Sequence, residues 1–68
     1  MMENKQLICN LLLPALQATR NLSDLVSLEY NQFDEEVVAT FESGYTKTAY
    51  VAMDSGTAMI KDIIKQIV

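Results

Sequence analysis

Few side chains in this sequence are equipped for chemistry, and each has a plainer use. Cys9 is the one cysteine, and there is no histidine. A reactive thiol wants an electropositive, open setting. Cys9 instead lies among Leu7, Ile8, Leu11 and Leu12, where it reads as a small buried hydrophobe. One thiol and no imidazole exclude the usual zinc ligand sets. Asp34-Glu35-Glu36 offers carboxylate oxygens to Ca²⁺ or Mg²⁺. A hard cation needs more oxygens than that, held in a defined loop, so the run reads as a hydrated turn. Asp54-Ser55-Gly56-Thr57 precedes an apolar-periodic segment and suits a helix cap. A phosphate held on first-turn N–H groups is the alternative. It is the weaker one, because Asp54 would oppose an anion and the glycine spacing and lysine of a P-loop are missing. No nucleophile, base and oxyanion donors converge in this pattern. The sequence therefore assigns no catalytic, cofactor-binding or metal residue and points away from an enzyme.

The elements that would position these residues follow from periodicity. From about Asn4 to Asn21, Leu7, Leu11, Ala15, Ala18 and Leu22 recur at steps of three and four, widened by Ile8, Leu12 and Leu16, which predicts a helix. Lys5, Gln6, Asn10, Gln17 and Arg20 supply its wetter side. Pro14 denies a donor to the carbonyl of Asn10. The helix then either kinks or splits there, and the unbroken phase of the stripe favours a kinked but continuous helix. Leu25 to Asn31 changes to a period of two, with Val26, Leu28 and Tyr30 on one side, a half-buried strand. Gln32 to Glu35 is a polar turn. Glu36 to Glu42 alternates again, with Val37, Ala39 and Phe41 together. Ser43-Gly44 is the clearest hairpin turn, and Tyr45 to Met53 is the third strand. A two- or three-residue turn gives opposite faces, and the sequence leaves that register open. After Asp54 or Ser55 as cap, Met59, Ile60, Ile63, Ile64 and Ile67 make a second helix face. The expected fold is α+β, a single domain over residues 1–68. It is a two-layer helix-strand-strand-strand-helix arrangement, a three-stranded antiparallel meander covered on one face by two helices.

Two resemblances attach to these residues. Met53-Asp54-Ser55-Gly56-Thr57 is similar to the active-site loop of aspartic proteases, in which two such aspartates share a proton. Those subunits are mostly β and longer, whereas an isoleucine-rich helix follows here, so the cap is preferred. The element order resembles the double-stranded-RNA-binding domain across the whole chain. That family places a lysine cluster at the start of its last helix and a Gly, Pro and His loop after its first strand. Here those places hold Asp54-Ser55-Gly56-Thr57 and Asn31 to Glu35. Lys61 and Lys65 are an ordinary solvated face balanced by Asp62. The resemblance implies a shared scaffold, and no RNA-binding residue is carried over.

Composition bounds the partners. A chain of 68 residues buries only about 60% of its unfolded surface. Half the residues are hydrophobic, more than so small an interior takes, and leftover apolar surface marks an interface. A homo-oligomer is expected, most simply a twofold dimer. The tyrosines and phenylalanines (Tyr30, Tyr45, Tyr50, Phe33 and Phe41) read as core and sheet-face aromatics, one or two of which would suit that interface. Net charge is −4, divided as +1 for Met1–Leu22, −6 for Ser23–Tyr45 and +1 for Thr46–Val68. The acidic middle third predicts a sheet face that repels nucleic acid and anionic membranes and attracts a basic protein. A lone cysteine fits a reducing cytoplasm. Glu3 and Lys5 cancel where a secretory signal wants net positive charge, and no apolar run reaches membrane-spanning length. The leading expectation is a non-enzymatic interaction or regulatory module. Nucleic-acid binding on a double-stranded-RNA-binding-like scaffold is the alternative. It would use Lys5, Arg20, Lys47, Lys61 and Lys65 if folding gathers them.

Overall fold

The computed structural model describes residues 4–52 and 55–67. A first helix, α1 (Lys5–Gln17), leads through a 3₁₀ turn at Arg20–Leu22 into strands β1 (Leu25–Asn31), β2 (Glu36–Phe41) and β3 (Thr46–Tyr50), and then helix α2 (Gly56–Ile67). The strands form an antiparallel sheet in the order β1-β2-β3. Contacts of α1 with β1 and of α2 with β3 make this the expected two-layer α+β fold.

Local chemistry sets the boundaries. Asn4 caps α1, its Oδ1 accepting from Leu7 N–H at 2.9 Å. The helix runs through Pro14. Asn10 and Pro14 are both exposed, so the carbonyl that loses its donor is on the wet side. The helix ends at Gln17 rather than Asn21. Thr19 turns extended, and its hydroxyl and N–H both return to the Leu16 carbonyl, at 2.6 and 3.0 Å, a local bond that competes with helix continuation. The 3₁₀ turn then buries Leu22. In α2, Ser55 is the cap: its Oγ accepts from Ala58 N–H at 3.2 Å. Met53 and Asp54 lie outside the described residues.

Both turns are closed by specific residues. Asn31 Oδ1 accepts from Phe33 N–H at 3.0 Å, and its amide donates to Asp34 at 3.1 Å. This Asx turn spans Gln32–Glu35 and leaves Phe33 almost fully exposed, so Phe33 is neither a core nor a sheet-face aromatic. Between β2 and β3, Phe41 N–H donates to the Tyr45 carbonyl and Gly44 N–H to the Phe41 carbonyl, both at 2.9 Å. The loop is thus the three residues Glu42-Ser43-Gly44, with Gly44 at φ 88°, the left-handed position such loops require. That settles the register, with Thr40 opposite Thr46 and Val37 opposite Ala49.

The core between the layers contains Cys9 and Leu16 of α1, Leu22, Leu25 and Leu28, Val37, Ala39 and Phe41, Ala49 and Val51, and Met59, Ile63 and Ile67 of α2. Two expectations fail here. Val26 does not share the inner face with Leu28, because β1 shifts register between Leu25 and Ser27. This bulge keeps Leu25 and Leu28 on the core side although they are three apart, and Val26 is left 49% exposed. The stripe Leu7-Leu11-Ala15-Ala18 does not face the core either. Cys9, Leu12, Leu13 and Leu16 do, with Ile8 beside them. Ile8, Leu12 and Leu16 are the expected widening of that stripe, so α1 is turned roughly a quarter of a revolution from the expected orientation.

Candidate interaction surface

Glutamines help to hold α1 in this orientation. Gln6 and Gln17 stand eleven residues apart, about three helical turns, on the flank of α1 beside β1. Gln6 Oε1 accepts from Tyr30 N–H at 2.8 Å and its amide donates to the Leu28 carbonyl at 3.4 Å; Gln17 donates to the Leu25 carbonyl at 2.8 Å. These bonds pair the outward backbone groups of an edge strand, which would otherwise be exposed. Gln66 of α2 does the same at the opposite edge, accepting from Tyr50 N–H at 3.0 Å and donating to its carbonyl at 3.1 Å. Both sheet edges are thereby partly closed to strand addition. Periodicity places Gln6 and Gln17 with solvent. Their spacing is the signal that they share a face, and the bulged backbone they meet leaves no mark in the sequence.

With α1 so fixed, its surplus apolar side chains point outward. Leu7 is 49% exposed and Leu11 67%; Ala15 and Ala18 are exposed as well. On α2, Met59, Ile63 and Ile67 are buried while Ile64 is 43% exposed, so Ile64 leaves the expected core face. Between the helices a shallow groove of about 230 Å³ is lined by Ile8, Leu11, Leu12, Ala15 and Ile60. Its lining residues are all apolar, and Leu7 and Ile64 stand one helical turn from Leu11 and Ile60.

The charges lie elsewhere. Of the six acids of the middle third, Glu29 and Glu36 stand in the outer-face rows of the sheet, cross-strand to Val38 and Asn31. Asp34 and Glu35 occupy the β1–β2 turn, and Asp24 meets Glu42 at the other end, where Glu42 N–H donates to the Asp24 carbonyl at 2.9 Å. The acid is thus shared between the outer face and both ends of the sheet. The bases are dispersed. Lys5 lies over the Tyr30 ring, 5.6 Å from its centroid, a cation–π contact at the β1 edge. Lys47, on β3, donates to the Ile67 carbonyl at 3.1 Å, favourable at a helix C-terminus. Lys61 and Lys65 are exposed on α2.

The remaining chemical candidates fall as follows. Cys9 is fully buried, and burial pushes its thiol from 9.0 up to about 11, away from reactivity. Asp34 and Glu35 stay exposed in their turn. Among the described residues no three His, Cys, Asp or Glu side chains group to hold a metal. A cleft of about 340 Å³ opens at the hairpin end, where Asp24, Tyr45 and Lys47 surround a floor of Leu22, Phe41 and Ile67. Among the described residues no helix is long and apolar enough to cross a membrane.

The fold is a small two-layer α+β arrangement with Leu7, Leu11 and Ile64 exposed on its helices. No family model matches the chain, nor does any curated protein or solved structure at a level that would mark a relationship.

Proposed function

We propose that this chain is a non-enzymatic protein-interaction module that self-associates through its helical layer and offers its acidic sheet layer to a basic partner protein. The supporting observation is the apolar surface of Leu7, Leu11, Ala15, Ile60 and Ile64 on the two helices. Leucines this exposed and this close together mark an interface in a small protein. The glutamine clamps on both sheet edges speak against edge-to-edge pairing, so the helices are the better surface. Acids spread over the sheet layer steer a basic partner to the side the dimer leaves open. The one cysteine, kept buried, suits a reducing cytoplasm. Light scattering over a range of concentrations tests the reading: a mass of two chains at high concentration supports it, and one chain throughout overturns it.

Nucleic-acid binding is the second reading, favoured by an element order like that of the double-stranded-RNA-binding domain and by exposed Lys61 and Lys65 on α2. Against it, Lys5 and Lys47 are engaged at opposite edges of the sheet. Titration with duplex RNA at low salt separates the two readings. Tight binding that weakens steeply with salt favours RNA.

A further inference from the structure

The water-facing side of α1 is formed by Leu7, Asn10, Leu11, Pro14, Ala15 and Ala18, all exposed. None of them is charged. Lys5 is the one charged residue of α1, and it is drawn away to the Tyr30 ring. A helix face meant for water carries charge, so this one is built to be covered.

The order of its side chains indicates the cover. The large residues, Leu7 and Leu11, lie in the N-terminal half, and the small ones, Ala15 and Ala18, in the C-terminal half. Turned over about a twofold axis near residue 13, the face meets itself with large on small. Leu7 then falls over Ala18 and Leu11 over Ala15. Interdigitation of this kind fills space without voids, and alanines let two helices approach closely. Charge argues the same way. A neutral face holds nothing to pair with an acidic or basic partner, whereas neutral against neutral leaves no buried charge unpaired.

We propose that the occupant is a second copy of this chain, with α1 packed antiparallel on α1 and Leu7 and Leu11 of each copy seated on Ala18 and Ala15 of the other. This rests on the self-association reading above and adds its geometry. The contact is small. Helix α1 has 13 residues and is about 20 Å long. A standard interface of about 800 Å² per partner would take roughly a sixth of the 4641 Å² surface. Ile60 and Ile64 extend the patch, but the pair stays toward the low end of that range, so association is reversible and concentration-dependent. The acidic sheet layer remains free on both outer sides of the dimer.

Two variants and their mixture test the register, read by sedimentation with circular dichroism as the check on folding. Leu11→Glu alone sets a charge over Ala15 at both contacts and weakens the dimer by more than about tenfold. Ala15→Lys alone sets a charge under Leu11 and does the same. Mixed one to one, the two variant chains bring the introduced glutamate against the introduced lysine at one contact and keep Leu11 over Ala15 at the other, so association returns. If Leu11→Glu loses its helical signal, Ala18→Glu at the exposed helix end replaces it, weakening the dimer through Leu7. A wild-type dimer that neither substitution weakens overturns this geometry and leaves the self-association reading standing. A wild-type chain that is monomeric at every concentration overturns both.

Discussion

The two helices bury their apolar residues by different means. In α2 the core positions Met59, Ile63 and Ile67 recur at intervals of four, and Lys61 and Lys65 stand opposite, so pattern alone orients the helix. Helix α1 is apolar nearly all round: Leu7, Ile8, Leu11, Leu12, Leu13, Ala15 and Leu16 cover most of its circumference. The side it buries holds Ile8, Cys9, Leu12, Leu13 and Leu16, while the side left out sets two alanines beside Leu7 and Leu11, so hydrophobicity favours the buried side only by degree. Gln6 and Gln17 hold that rotation, their amides bonded to the backbone of β1. Polar residues that complete the hydrogen bonds of an edge strand thus reinforce an apolar preference in setting orientation, because those backbone groups need partners. The leucines on the losing side are what remain exposed.

The contrast is tested most severely inside α2 itself. Ile63 is fully buried and Ile64 is 43% exposed. Ile63→Ala should cost about 2–5 kcal/mol, a large share of the stability of so small a domain. Ile64→Ala should cost well under half as much. Chemical denaturation of the two variants at low concentration, where dimerisation does not contribute, measures both; equal losses would contradict the assigned face.

Gln6→Leu probes the orienting role on α1. It keeps the side-chain bulk and removes both bonds to β1, leaving Tyr30 N–H and the Leu28 carbonyl without that partner. A loss of about 1–3 kcal/mol is expected, with faster hydrogen exchange at the Tyr30 amide. A variant as stable and as protected as the parent would show that apolar packing alone orients α1.

An effect seen only at alkaline pH follows from Cys9, the one core residue of α1 that can ionise. Its folded thiol is raised from 9.0 to about 11 by burial. Between those values the unfolded chain has lost the proton and the folded chain still holds it. The stability that this group contributes is therefore complete below pH 9, falls as pH rises through that window and is gone above about 11. Denaturation midpoints should decline more steeply over that range in the parent than in Cys9→Ala.

These features differ in how readably they are written. Strand β1 and the Gln32–Glu35 turn lie where alternation and polarity place them, since Asn31 closes its turn with its own side chain. The sequence leaves the hairpin register open because Gly44 serves loops of two or three residues equally. The bulge at Val26 carries no local mark; Leu25 and Leu28 gain a common side only once Phe41 and Ala39 are opposite them. The rotation of α1 is hidden for a related reason. Two apolar stripes compete, the buried one the larger, and the bonds that reinforce the choice reach the backbone of a separate strand, from Gln6 across more than twenty residues of chain. The apolar surplus can be anticipated from composition. It divides between the helices, at Leu7, Leu11 and Ile64, and the sheet and its turns, at Val26, Phe33, Tyr45 and Tyr50, and the helical share depends on those long-range bonds.

The claim that the outer face of α1 covers itself is tested most directly by the amide spectrum of the wild-type chain across dilution. The account predicts concentration-dependent shifts at Leu7, Leu11, Ala15 and Ala18, with Glu29, Val38 and Thr48 on the outer sheet face unchanged. Shifts confined to the sheet, or none at any concentration, would contradict it.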